Sequence, residues 1–186
     1  GVPYKVVKIP EITKILAAQW GNPEILAPLP GRTGSGAELP YWMSTFINQD
    51  GAEVVNANCL LCHGGEFDGE FVMGLPNANV DFTAAVGSGG AVAFPEALFD
   101  LLGLSVAERA SLDKLLERAA VVGPATKMRT VGHNPAEQLA VTLMVHHDRN
   151  TLAWSDVPYS DFVPRNHDGS ARTQDNTITS DPGPWW

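Results

Sequence analysis

The sequence of 186 residues predicts an all-α fold, and two helix-start signals support this prediction most directly. Ser105-Val-Ala-Glu108 has the spacing of a capping box, in which the serine and glutamate side chains satisfy free backbone N–H groups of a first helical turn. It opens an amphipathic segment that extends to about Val122. Asn134-Pro-Ala-Glu137 places a capping side chain before a proline, and this second helix is expected to run to about His147.

Weaker signals complete the all-α prediction. A short helix is expected around Ile12–Trp20, because apolar residues there fall near helical spacing. Residues 41–65 are interpreted as helical up to the cysteines, with a break at Asp50–Gly51, and residues 95–103 as a short helix with a proline in its first turn. Residues 66–94 are rich in glycine and show little periodicity, so we expect a loop that wraps a large apolar object.

Composition divides the chain into three parts. Residues 1–40 contain many prolines and are expected to form an N-terminal arm that lies over a core or over a partner. Residues 41–148 hold the stronger helix signals and form the expected central domain. Residues 149–186 contain several prolines and no helical period, so an irregular C-terminal tail is expected. The arm and the tail are candidate contacts with neighbouring subunits.

Charge and hydropathy narrow the classes of partner. The chain has 12 lysine and arginine residues against 21 aspartate and glutamate residues, a formal net charge of −9. There is no basic patch to neutralise phosphates, so we expect no nucleic acid partner and favour a protein with a basic docking surface. No apolar run approaches the roughly 18 residues of a membrane helix, so no membrane span is expected. No leader pattern follows Gly1, and any signal peptide is expected to have been removed.

The chemistry of the chain is concentrated in Cys59-Leu-Leu-Cys-His63, which holds both of its cysteines. This pattern is typical of the covalent attachment of one c-type haem. The two cysteines form thioether bonds with the porphyrin, and the histidine binds the iron. A structural zinc site would need a second pair of ligands, and the chain has no further cysteine. A thioredoxin-like pair would follow a strand in an alternating strand–helix chain, which the sequence does not predict.

An electron-carrying haem usually has a second axial ligand, and Met128 and His133 are the two leading candidates. Both lie in the loop between the two capped helices, from which a side chain can reach the distal face of a haem. The residues alone leave the choice between them open. Met43 and Met144 are expected in the core, His146 and His147 at a solvated helix end, and His167 at the surface, whereas Met73 in the glycine-rich loop stays open as a less favoured ligand.

Three segments resemble class I cytochromes c, which shuttle electrons in respiratory and photosynthetic chains. Residues 51–55, followed by the Cys59–His63 motif, resemble the family's first helix and haem motif. Gly74-Leu-Pro-Asn77 resembles its proline loop, and Thr126–Gly132 resembles its methionine-ligand loop. The resemblance covers about residues 48–147 and implies a haem wrapped by helices.

The resemblance implies roles for individual residues. The Pro76 carbonyl is expected to accept the proton of the His63 ring, which would fix its tautomer. Met128 is expected to be the second iron ligand. Apart from the resemblance, Arg129 or Arg149 is a candidate partner for a haem propionate, with a role as a surface cation the favoured alternative for each.

The sequence favours electron transfer through this haem, by a carrier or by the haem subunit of a redox complex. The alternative is a peroxidase-like or oxygen-activating haem enzyme. Such an enzyme would need an open iron site and an acid–base group, for which His133 and Glu137 are the candidates. Because covalent haem attachment takes place outside the cytoplasm, a periplasmic or other extracytoplasmic location is expected.

Overall fold

The structure is a computed structural model that describes residues 1–12, 14, 23–77, 80–85, 100–125, 128 and 132–159. Within these residues the fold is mixed α/β, with helices and two antiparallel sheets. The all-α prediction is therefore wrong. The error lies in the middle of the chain, where two β-hairpins stand in place of the expected helix and loop.

The first sheet has three antiparallel strands, in the order β1–β3–β2: Val2–Pro3 (β1), Met43–Ile47 (β2) and Glu53–Ala57 (β3). β2 and β3 form a hairpin that pairs along its whole length. The Asn48 side chain closes the turn, since its Oδ1 accepts the N–H groups of Asp50 at 3.0 Å and Ala52 at 2.9 Å. The helix expected over residues 41–65 is largely absent because β-branched and aromatic residues in both runs favour extended backbone.

The second sheet is a two-stranded hairpin formed by Gly64–Phe67 (β4) and Glu70–Met73 (β5). Asp68 and Gly69 connect the strands with φ angles of 53° and 78°. Two successive positive φ angles are the conformation of a tight hairpin turn, and an Asp-Gly pair favours it. The loop expected over residues 66–94 therefore begins as a hairpin, and residues 86–94 lie outside the described residues.

The described residues include five α-helices: Tyr4–Val7 (α1), Leu60–His63 (α2), Phe82–Ala85 (α3), Val106–Ala125 (α4) and Ala136–Val145 (α5). A 3-10 turn covers Pro23–Leu26. The two helices predicted from capping signals are present as α4 and α5. Most of the helix expected around Ile12–Trp20, and residues 95–99 of the one expected over 95–103, lie outside the described residues.

The predicted capping box starts α4. The Ser105 N–H donates to Glu108 Oε2 at 2.7 Å, and the Glu108 N–H donates to Ser105 Oγ at 3.3 Å. Lys5 Nζ lies 2.8 Å from Glu108 Oε2, so the box also ties the N-terminal residues to α4. Burial alone would raise the pKa of Glu108. Its hydrogen bonds with Lys5 and Ser105 outweigh burial and hold that pKa below its usual value.

One apolar cluster, called the core cluster below, joins the first sheet to segments from both ends of the described chain. Its buried members are Val7, Ile25, Leu39, Tyr41, Trp42, Met43, Val55, Val80, Phe82 and Met128. Residues of the expected N-terminal arm therefore contribute to this core. Leu60 and Leu61 are partly buried and pack against it, which brings the Cys59–His63 motif to the edge of the core.

We expect Glu108→Gln to destabilise the protein at neutral pH but not in acid. A carboxylate with a lowered pKa contributes stability above its unfolded pKa of about 4.3, and this contribution is lost as the pH falls through the lower folded value. The difference in free energy of unfolding between wild type and variant, from urea denaturation, should therefore shrink below about pH 4. As a control, Asp113→Asn removes an exposed carboxylate of α4 and should change stability by less than about 0.5 kcal/mol. A Glu108→Gln effect that stays constant down to about pH 3 would contradict this role for the capping box.

Candidate functional site

The Cys59–His63 motif forms a single helical turn, called the motif turn below. The N–H groups of Cys62 and His63 both donate to the Cys59 carbonyl, at 3.3 and 2.9 Å. A helix advances about 100° per residue, so Cys59, Cys62 and His63 fall within one arc of about 100°. Leu60 and Leu61 lie on the opposite side, against the core cluster. The two thiols and the imidazole therefore share one face of the turn, called the donor face below.

Asn58 connects the first sheet to the motif turn. Its N–H donates to the Trp42 carbonyl at 2.7 Å, and its Nδ2 donates to the Tyr41 carbonyl at 3.1 Å. Its Oδ1 accepts the Leu60 N–H at 2.9 Å, which caps the turn. Sequence reasoning missed this residue, although an asparagine directly before a helical turn is a capping signal.

The loop that contains Pro76 lies along the motif turn. The Gly74 N–H donates to the His63 carbonyl at 2.8 Å, and the Asn77 N–H donates to the Cys62 carbonyl at 2.8 Å. Pro76 is half-buried between these two contacts. The proline loop therefore lies against the motif turn, and the hydrogen bond expected between the His63 ring and the Pro76 carbonyl stays a prediction.

Asn77 and Tyr41 form a buried polar pair beneath the motif turn. Asn77 is 3% exposed, and its Nδ2 donates to the Leu61 carbonyl at 3.0 Å and to Tyr41 Oη at 3.1 Å. Burial raises the pKa of Tyr41, and the Asn77 hydrogen bond offsets part of that rise. The Tyr41 ring also packs on Phe71, with ring centroids 4.8 Å apart. Sequence reasoning named Asn77 only as the end of the proline loop and did not identify its pairing with Tyr41, because the two positions are 36 residues apart in the chain.

A second segment reaches the motif turn from the start of α5. Asn134 is 2% exposed, and its Nδ2 donates to the Cys62 carbonyl at 3.3 Å. Its Oδ1 accepts the Ala136 N–H at 3.1 Å, so one side chain both starts α5 and holds it on the motif turn. The preceding residue, His133, is half-buried, and its Nδ1 is buried with no hydrogen-bond partner among the described residues.

The other predicted site residues have different surroundings. Met128 is 1% exposed and belongs to the core cluster. Arg129 and the side chain of Glu137 lie outside the described part of the chain. Arg149 is exposed in the turn that follows α5.

The less favoured ligand candidates are also placed, apart from His167, which lies outside the described residues. Met43 is buried in the core cluster, whereas Met73 and Met144 are largely exposed. His146 is buried and its Nδ1 lies 2.7 Å from the Ser155 carbonyl, so the solvated helix end expected there is wrong. His147 Nδ1 lies 2.7 Å from the Leu143 carbonyl.

Burial sets the electrostatics of the donor face. It raises the pKa of the Cys62 thiol to about 11, with a smaller contribution from Cys59. It also lowers the pKa of His63, so the imidazole is neutral at physiological pH, which is the form that binds a metal. Both cysteines are free thiols. Two free thiols and a neutral imidazole on one face of a helical turn are the donor set that covalent haem attachment needs, so the residues fit the group that the sequence implies.

Two concave regions lie outside the donor face. A cleft of about 290 Å³ lies beside the motif turn and is lined by residues that include Tyr41, Gly65, Phe71 and Asn77. A groove of about 710 Å³ follows α5 and the turn after it, where Leu143, Met144 and Arg149 are among its lining. Neither lining includes a residue of the motif turn. Cys59 is exposed, so the donor face opens at the surface of the described chain.

No protein-family model, curated protein or solved structure matches the chain. Within the residues that the structure describes, no helix has both the length and the apolar character needed to cross a membrane. The same residues contain no group of three or more His, Cys, Asp or Glu side chains placed to hold a metal ion. The function is therefore inferred from the motif turn and its contacts.

We expect Asn77→Ala to destabilise the protein, because it leaves the Leu61 carbonyl and the Tyr41 hydroxyl without this donor. A buried polar group that loses its partner costs about 1–3 kcal/mol. The free energy of unfolding from urea denaturation measures the loss. Asn150→Ala is the matched control, since Asn150 is exposed and its hydrogen bond comes from the backbone. Equal losses in the two variants would show that the buried pair does not stabilise the motif turn.

We expect the two thiols of the haem-free protein to react at different rates. A thiol with a pKa of about 11 has about one thiolate in a thousand at pH 8. Cys62 in the Cys59→Ser variant should therefore react slowly with iodoacetamide, at a rate that rises about tenfold per pH unit from about pH 8 to 10. The exposed Cys59 in the Cys62→Ser variant should react faster at pH 8. Equal rates there would contradict the half-buried position of Cys62.

Proposed function

We propose that this chain is a c-type haem protein that transfers electrons. One haem is attached covalently through Cys59 and Cys62, and His63 is the first axial ligand of its iron. The observation that carries this proposal is the shared face of the motif turn, where two free thiols and a neutral imidazole lie opposite the leucines that pack on the core. A redox-active disulfide or a zinc site would not need the histidine at this position.

The two cysteines bind the porphyrin. Each thiol adds across one vinyl group, so the sulfur and its hydrogen both end on the former double bond and no oxidant or reductant is consumed. Cys59 and Cys62 lie one helical turn apart, which places their sulfurs on the same side of the backbone. Asn58 and the core contacts of Leu60 and Leu61 hold that turn from the other side.

His63 binds the iron through a ring nitrogen. The hydrogen bond between its carbonyl and the Gly74 N–H fixes its backbone, so the imidazole stays beside the two cysteines. A bound haem supplies an iron that exchanges single electrons, and the haem needs no further chemistry from the chain. The residues around it position the haem and limit its access to water, which tunes its potential.

The resemblance to class I cytochromes c supports the chemistry and not the fold. The proline loop and the loop before α5 both contact the motif turn, through Asn77 and Asn134. The segment that resembles the family's first helix is strand β3 instead. A haem motif needs only a helical turn and its supports, so the attachment chemistry does not depend on an all-α frame.

The proposed partners follow from charge. With a net charge of −9, the chain is suited to redox proteins that present a basic docking surface. The N-terminal arm and the C-terminal tail are proposed contacts with neighbouring subunits in a larger redox complex. Covalent haem attachment places the protein in the periplasm or an equivalent extracytoplasmic compartment.

The experiment is expression of the full chain together with a c-type haem maturation system. The wild type should retain one haem per chain after denaturation, whereas Cys59→Ser and Cys62→Ser should lose one or both thioether bonds and Met144→Leu should be unaffected. The loaded protein should undergo a reversible one-electron reduction and show no peroxide turnover. Absence of covalent haem would overturn the proposal. Covalent haem with peroxide turnover would favour the peroxidase-like alternative.

A further inference from the structure

His133 lies next to the residue that holds α5 on the motif turn. The Asn134 side chain reaches the Cys62 carbonyl at 3.3 Å and is almost fully buried. A single peptide bond separates His133 from that contact. His133 therefore directly precedes, in the chain, a residue that contacts the motif turn.

The ring of His133 has an unsatisfied nitrogen. Its Nδ1 is buried and has no hydrogen-bond partner among the described residues. A buried polar atom without a partner is energetically unfavourable and calls for an explanation. A metal ion bound to that atom can supply one. Either nitrogen of a neutral imidazole can bind a metal, and binding would satisfy this atom.

Met128 is a residue of the core. It is 1% exposed and is packed in the core cluster, against which Leu60 and Leu61 also lie. These two leucines form the side of the turn opposite the donor face. To reach an iron held on the donor face, Met128 would have to leave the core, which would expose apolar surface and open a cavity.

We propose that His133, rather than Met128, is the second axial ligand of the haem iron. This inference rests on the proposed function and adds to it the kind of redox centre. Two histidine ligands give a lower reduction potential than histidine with methionine. The chain is then a low-potential relay, and Met128 is a core residue.

The test is the absorption and electron paramagnetic resonance spectra of the oxidised, haem-loaded full chain. Wild type should be low-spin and lack the weak far-red band of a sulfur–iron bond. His133→Ala should become high-spin, and added imidazole should restore the low-spin signal. Met128→Leu should keep the wild-type spectrum. His147→Ala is the matched control, because it removes a histidine whose Nδ1 already contacts a carbonyl, and it should also keep that spectrum.

The outcomes separate this inference from the proposed function. If the chain carries no covalent haem, the proposed function fails and the inference fails with it. If covalent haem is present and the wild type shows the far-red band, or is high-spin, the inference alone is overturned. The wild-type spectrum decides this even if His133→Ala does not fold. A low-spin His133→Ala protein without added imidazole would also overturn it.

Discussion

The backbone hydrogen bonds of the motif turn are the constraint on which the site depends. A helix of one turn is not stable alone, and none of its last carbonyls has a partner within the helix. Asn77 supplies donors to the carbonyls of Leu61 and Cys62, and Gly74 supplies one to His63. Asn134 adds a further contact with Cys62. Because the backbone is held in this way, the side chains on the donor face are left available for chemistry.

The elements around the motif turn bring these hydrogen-bond donors to its backbone carbonyls. β3 leads into the turn through the Asn58 cap, and β4 leaves it at once. Gly64, the first residue of β4, has no room for a side chain, since a Cβ there would lie 2.7 Å from the Leu60 carbonyl oxygen. The β4–β5 hairpin then returns the chain to Gly74, beside the turn that it left. Two hairpins thus perform the positioning that the sequence assigned to helices.

Short sequence patterns correctly predicted the helix starts that are stabilised by hydrogen bonds between near neighbours in the chain. The capping box at Ser105 and the asparagine cap at Asn134 satisfy backbone groups within three residues, so their patterns identify the starts of α4 and α5. The β2–β3 hairpin also had a local signal, Asp50-Gly51 between two runs rich in strand-forming residues. The sequence analysis nevertheless interpreted residues 41–65 as helical. The hydrogen bonds of Asn77 with Leu61 and of Asn134 with Cys62 span 16 and 72 residues, and no pattern within one segment encodes them.

A crystal structure of the haem-loaded protein would test the central claim most directly. The claim is that the haem is held on the donor face of the motif turn while the hydrogen bonds and core contacts of that turn are kept. The account predicts thioether bonds to Cys59 and Cys62 on the donor face, with Leu60 and Leu61 still packed on the core cluster. The hydrogen bonds from Gly74 and Asn77 to the motif turn should be present. A haem-loaded protein in which helices replace the β2–β3 hairpin, or in which the two cysteines face the core, would contradict it.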